Sequence, residues 1–325
     1  MQGKMDCYGL SDQGRVRKAN EDQFLIADLN KSMRVHQTSL QIDDETRLFG
    51  GSQGKILLVA DGVGGHAGGE RASTLAVDAV AHYLLNNMRW FFRLQEDSQD
   101  DFLDDLKSAI DQCQSRVATE AENTLARKKM GTTVTMAYVV WPRLYVVHVG
   151  DSRCYLLRDS ELRQITEDHT VGQRLADEGA IAPERVEGSQ WSNVLWNVVG
   201  GDTDEIVPEV YKAELQIGDA LLLCTDGLNE HLPDGQISQT FDADLDAEGI
   251  CRALVGAAND AGGSDNVTVV VARFHEWEKH QETFEAEATA RTDNGTEVAT
   301  TAVTEVPKPA SVWEGPGNKP DSMSY

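Results

Sequence analysis

Apolar residues along this chain keep two different periods. Ile56-Leu57-Leu58-Val59-Ala60 and Ala220-Leu221-Leu222-Leu223-Cys224 are unbroken apolar runs, as expected of strands buried on both faces. Gln23 to Ala27, Cys154 to Arg158 and Asn266 to Phe274 read as further strands. Thr132 to Val140 and Leu144 to Val149 are β-branched and apolar on either side of Trp141-Pro142-Arg143, the pattern of a hairpin. Elsewhere the period is helical. From Glu70 to Met88, residues Ala72, Leu75, Ala76, Ala79, Val80, Tyr83 and Leu84 fall on one helix face. Leu103, Leu106, Ile110, Cys113, Val117 and Leu125 repeat this between about Asp101 and Lys128. Thr170 to Gly179 and Asp246 to Asn259 are shorter helical stretches, and Asn30 to Gln53, polar and interrupted by Gly50-Gly51, reads as an exposed loop between strands.

Hairpin-linked strands with long helices inserted between them favour an α+β fold over an alternating βαβ sheet. The simplest arrangement is an antiparallel core with helices outside. After about His275 the texture shifts to Thr, Ala, Glu and Pro, so residues 276–325 are expected to form an acidic disordered tail behind a domain spanning 1–275.

Composition narrows the partners. The 325 residues suffice for one large domain or two modest ones, and 40% apolar content is ordinary for a soluble protein. With 54 acidic against 29 basic residues the net charge is -25, which repels nucleic acid and anionic membranes. Cys7, Cys113, Cys154, Cys224 and Cys251 are scattered and contain no C-x-x-C pair, arguing against a disulfide framework or a zinc site. There is no apolar signal core at the N-terminus and no apolar run near the roughly 20 residues of a membrane span. A soluble cytoplasmic monomer is the expectation.

Four acidic positions share one local context, a carboxylate at a strand end among turn-forming residues: Asp61-Gly62, Gly150-Asp151-Ser152-Arg153, Thr225-Asp226-Gly227 and Ser264-Asp265-Asn266. Each taken singly also fits a plain turn. If the strands are neighbours, however, the carboxylates converge on one rim and need protons or cations to coexist. With no His or Cys ligands close by, an oxygen-only Mg²⁺ or Mn²⁺ site is favoured over zinc. Glu21 and Asp22 could extend such a site, and Arg17 offers the planar fork that suits a phosphate dianion; a polar turn before a strand is the alternative for this segment.

The ordered series Arg17…Asn20-Glu21-Asp22, Asp61-Gly62-x-Gly64-Gly65, Gly131-Thr132-Thr133, Gly150-Asp151-Ser152-Arg153, Asp226-Gly227 and Asp265-Asn266-Val267-Thr268 resembles the metal-dependent protein phosphatases of type 2C in their bacterial form. The resemblance runs from about Cys7 to Phe274. It implies two packed antiparallel sheets flanked by helices, with two Mn²⁺ or Mg²⁺ ions, or three, between the sheet ends. Carried over by position, Asp61 bridges two ions and the Gly62 carbonyl binds one. Asp226 and Asp265 hold one ion, Glu21 and Asp22 lie beside the other, and Asp151 serves a third with Asp226. Arg17 orients the phosphate, and Gly131-Thr132-Thr133 opens a central strand in a packing role. The implied reaction is hydrolysis of phosphoserine and phosphothreonine in proteins by direct attack of a metal-bridging water, opposing a bacterial Ser/Thr kinase.

Eukaryotic members of that family typically read Asp-Gly-His-Gly-Gly, with the histidine proposed as general acid; here Val63 holds that position. His66 and a metal-bound water are the remaining proton donors. His169 leads into residues 171–203, which the resemblance makes a flap beside the cleft, with Trp191 and Trp196 expected to pack there. No Gly-Lys-Ser/Thr follows the glycines after Asp61, and no G-x-S-x-G accompanies Ser152, which disfavours a P-loop and a serine hydrolase. The competing reading from another class is a catalytically silent phosphatase-like sensor or scaffold.

Overall fold

The computed structural model describes residues 4–34, 47–64, 68–87, 99–123, 129–186, 188–201 and 205–276. Strands β1 (Lys4–Asp12), β8 (Arg153–Arg158), β9 (Glu161–Gln164), β12 (Ala220–Cys224) and β13 (Val267–His275) form an antiparallel sheet in the order β1-β13-β12-β8-β9. Strands β2 (Gln23–Arg34), β3 (Arg47–Ala60), β6 (Val134–Val140), β7 (Arg143–Val149) and β11 (Glu209–Glu214) form a second in the order β11-β7-β6-β3-β2. A small third sheet joins β4 (Gly62–Val63), β5 (Gly131–Thr132) and β10 (Val199–Gly200).

Strand alternation divides the core into three layers. On β3, Leu57 and Val59 meet Leu221 and Leu223 of β12 and Val270 and Ala272 of β13 between the sheets. The opposite residues of β3, Ile56, Leu58 and Ala60, pack under helices α1 (Gly69–Asn86) and α2 (Gln99–Asn123). Leu222, Cys224, Val269 and Val271 face the other way, under α5 (Asp234–Phe241) and α6 (Ala247–Asp260). Burial on both faces explains why these strands read as unbroken apolar runs. The α+β class and the helix-sheet-sheet-helix layering match the expectation.

Some elements differ from it. Asn30–Arg34 and Arg47–Gln53 are paired strand rather than loop, with partners such as Ser32↔Phe49 and Met33↔Leu48 and a register shift between Asn30 and Ser32. Backbone pairing extends the hairpin there without an apolar pattern to announce it. Strands β9 and β11 lie at sheet edges, where polar residues are tolerated and the apolar period is lost. Leu125 and the tail from 277 onward lie outside the described residues. Among the described residues no helix is long and apolar enough to cross a membrane.

Register brings the acidic turns together. Gln23 pairs with Ala60, so Asp22 and Asp61 leave β2 and β3 at the same end of their sheet. Val134 pairs with Val149, which sets Gly150-Asp151 at that end too. In the other sheet Cys224 pairs with both Arg153 and Val269, so Asp151, Asp226 and Asp265 also share an end. Asp151, between β7 and β8, joins the two rims.

Candidate metal centre

Asp61 follows β3, and its main chain is gripped by a threonine pair. Its N–H donates to Thr133 Oγ1 at 2.9 Å, and its carbonyl accepts from Thr132 Oγ1 at 2.8 Å and from the Thr133 N–H at 2.9 Å. Gly131-Thr132-Thr133 therefore does more than pack. Thr133 Oγ1 also meets Ser152 Oγ at 2.7 Å, which links the Asp61 and Asp151 turns. A side chain on Gly62 would meet the Gly69 carbonyl at 2.3 Å, and Gly64 turns the chain away at a φ of +117°, where glycine is favoured. Gly65 and His66 lie outside the described residues.

Asp226 opens the short helix α4 (Asp226–Asn229) directly after β12. Asp265 precedes β13, and a carboxylate oxygen of each comes within 4.8 Å of the other and of Glu230. Asp22 is buried; its Oδ2 accepts from Thr225 Oγ1 at 2.8 Å while Oδ1 has no hydrogen-bond partner. Asp226 Oδ1 is likewise buried and without a partner. Asn266 braces the preceding loop, donating to the carbonyls of Gln13 and Ala19 at 2.9 Å and accepting from the Glu21 N–H at 2.9 Å. The Glu21 carboxylate lies against Gly69 at the start of α1, where a side chain on the glycine would come within 2.0 Å of Oε2. Arg17 pairs with Asp265, Nη2 to Oδ2, at 2.5 Å.

Electrostatics at this rim is that of crowded like charges. Burial, followed by the charges of Asp22, Asp226 and Asp151, holds the Asp61 carboxyl well above the usual carboxylate range. Burial and the charges of Asp151, Glu230 and Asp265 do the same to Asp226. Burial pushes Asp22 up to about 6, and burial with the Asp168 charge pushes Asp151 up to about 7. Such a set accepts protons or cations. The unpartnered oxygens of Asp22 and Asp226 and the all-oxygen donor set fit hard divalent cations.

The structure thus brings together Asp22, Asp61, Asp151, Asp226 and Asp265, with Arg17 at the edge. Sequence reasoning missed Glu230, whose Oε1 accepts from Asn193 Nδ2 at 2.5 Å, and the hydroxyls of Thr225 and Thr133. Glu230 lies one turn after Asp226, so an i, i+4 carboxylate pair was the available signal. Trp196 packs on His169, which leads into helix α3 (Val171–Asp177), at 5.2 Å between ring centroids, as expected, whereas Trp191 remains 42% exposed.

Comparison with known proteins fits this geometry. The profile of the family described as Protein phosphatase 2C matches residues 34–248. Over 245 residues the chain is 37% identical to the serine/threonine protein phosphatase PstP of Mycobacterium tuberculosis (strain CDC 1551 / Oshkosh), a match covering 75% of this chain and 45% of that protein. The chain therefore spans less than half the length of that relative. It is 27% identical over 261 residues to the serine/threonine phosphatase stp of Listeria innocua serovar 6a, covering 80% of this chain and 92% of that one. A solved structure described as the catalytic domain of PstP in complex with two manganese ions superposes with a TM-score of 0.65 at 33% identity, covering 84% of this chain and 99% of that one.

Proposed function

Because this chain belongs to the protein phosphatase 2C family, we propose that it is a metal-dependent serine/threonine protein phosphatase hydrolysing phosphoserine and phosphothreonine in proteins, in the cytoplasm and opposing a Ser/Thr kinase. The observation that carries the reading is the cluster of Asp22, Asp61, Asp151, Asp226 and Asp265, buried or half-buried and crowded, with the repulsion pushing Asp61 and Asp226 up and unpartnered oxygens on Asp22 and Asp226. A silent scaffold has no use for such a cluster, which costs stability unless cations compensate it.

Asp61, the Gly62 carbonyl, Asp226 and Asp265 would hold two Mn²⁺ or Mg²⁺ ions, with Glu21 and Asp22 beside them and Asp151 serving a third. When bound, the ions supply water acidified toward hydroxide and positive charge opposite the phosphoryl oxygens. The chain's own contribution is position. Thr132 and Thr133 fix the Asp61 main chain, and Thr225 orients Asp22. Arg17 spends one donor on Asp265 and keeps the rest of its planar fork for the phosphate dianion. The described residues between 171 and 201 act as a flap over the cleft between Asp151 and Glu230, an opening lined also by Asn193 and Pro233.

The test is Mn²⁺-dependent release of phosphate from a phosphothreonine peptide. Activity is expected to vanish on chelation and in Asp61→Asn. A metal-loaded chain that turns over neither several phosphopeptides nor an aryl phosphate would favour the scaffold reading instead.

A further inference from the structure

His169 is 2% exposed and holds Gly150, the residue before Asp151, by both its carbonyl and its N–H. Its N–H donates to the Gly150 carbonyl at 2.7 Å, and the Gly150 N–H donates back to its Nδ1 at 3.1 Å. A second donor reaches the same nitrogen, Asn197 Nδ2 at 2.8 Å. The orientation of that amide is fixed, because Asn197 Nδ2 also donates to the Val207 carbonyl at 2.8 Å and Oδ1 accepts from the Val207 N–H at 3.2 Å. Two N–H groups aimed at Nδ1 leave it only as an acceptor. The imidazole is therefore neutral with its proton on Nε2, which has no hydrogen-bond partner and lies 3.5 Å from Glu209 Oε2.

The same residue, just before the flap, also braces its later part. Its carbonyl accepts from the Trp196 N–H at 3.0 Å, its ring packs on that of Trp196, and the next residue, Thr170, bridges to Leu195. On the other side the Asp151 turn has no slack. Gly150 has a φ of +113°, and a side chain there would meet Thr133 Cγ2 at 2.5 Å. Thr133 is also the residue that holds Asp61.

We propose that His169 is a positioning residue for the Asp151 carboxylate: through Nδ1 as a double acceptor it clamps Gly150 to the base of the flap, so that cation binding at Asp151 and the placing of the flap are coupled. The proposal rests on the phosphatase reading, in which Asp151 is a cation ligand. Coupling of this kind is reciprocal, so occupancy at Asp151 orders the flap base by as much as flap order favours occupancy.

Side-chain geometry supplies the test. In His169→Asn the amide oxygen can take the place of Nδ1, whereas in His169→Gln the polar atoms reach the place of Nε2. Mn²⁺ binding to the full chain is counted by the electron paramagnetic resonance of free Mn²⁺, with hydrogen exchange at the Gly150 amide read in parallel. His169→Asn is expected to bind as wild type does. His169→Gln is expected to weaken only the weakest Mn²⁺ class, by about tenfold or more, and to speed Gly150 exchange. Equal binding by wild type and both variants, or equal weakening in both variants, overturns the proposal. Should His169→Gln not fold, the ¹⁵N shifts of the wild-type imidazole decide: a proton on Nδ1 overturns the proposal, and one on Nε2 upholds it. A wild-type chain that binds no Mn²⁺ overturns the phosphatase reading itself, an outcome visible without any variant.

Discussion

Thr225 carries no charge, yet three polar groups of the centre depend on its hydroxyl and backbone. Oγ1 donates to Asp22 Oδ2 at 2.8 Å and accepts from the Thr268 N–H at 3.0 Å, while its own N–H donates to the Thr268 carbonyl at 3.0 Å. Thr225→Val keeps the shape and leaves a buried N–H and a buried carboxylate oxygen unpaired, each costing about 1–3 kcal/mol. The midpoint of urea unfolding should fall accordingly, with loss of Mn²⁺ affinity, whereas Thr225→Ser should recover most of both. An unchanged midpoint in the valine variant would mean that Asp22 finds another donor. The carboxylates themselves were legible in the sequence, because Asp beside Gly at the end of an apolar run is a local pattern. Thr225 and Thr133 were not. Their partners lie 203 and 72 residues away, at separations that only the strand register closes.

At the scale of the element, β6 and β7 carry a buried pair that bears on acid stability. Thr135 Oγ1 of β6 meets His148 Nδ1 of β7 at 2.9 Å, and His148 Nε2 meets the Glu167 carbonyl at 3.0 Å. Burial, with the neighbouring His169 behind it, pushes the His148 imidazole down to about 3. In the unfolded chain it titrates near the ordinary value of about 6.5. Below that pH the unfolded chain takes up a proton that the folded one refuses, so this contribution is fully present above about 6.5 and is lost progressively toward pH 3. His148→Gln cannot titrate. Its stability relative to wild type should therefore rise by a few kcal/mol as pH falls from 7 to 4, whatever the offset at neutral pH. Parallel curves from denaturant titrations across that range would refute the assignment. Central strands such as β6 and β7 were legible because both their faces are apolar. The edge strands β9 and β11 were not, since a strand with one free edge satisfies its backbone without an apolar period.

The molecule as a whole places a strongly acidic centre in a chain of net charge -25, so nothing at long range offsets the repulsion at the rim. Stability should accordingly belong to the metal-loaded protein. A ligand that binds only the folded state at about 100 times its dissociation constant adds about 2.7 kcal/mol per site, and chelation removes it. Asp61→Asn separates this effect from catalysis. The amide carries no charge for the neighbouring Asp226 to repel. It relieves repulsion from Asp22, Asp226 and Asp151 at the cost of a carboxylate that, on the proposed reading, would hold the ions. Without metal at pH 8, Asp61→Asn is expected to unfold at a higher temperature than wild type. With saturating Mn²⁺ the order should reverse if, as proposed, the native carboxylate holds the ions and the amide does not. Calorimetric scans of both proteins, with chelator and with Mn²⁺, read the crossing directly. If wild type remains the more stable without metal, the carboxylates are not held against their repulsion in the folded chain. The cluster would then be an ordinary hydrated rim, and no stability given up at this site could be linked to the ions it is proposed to hold.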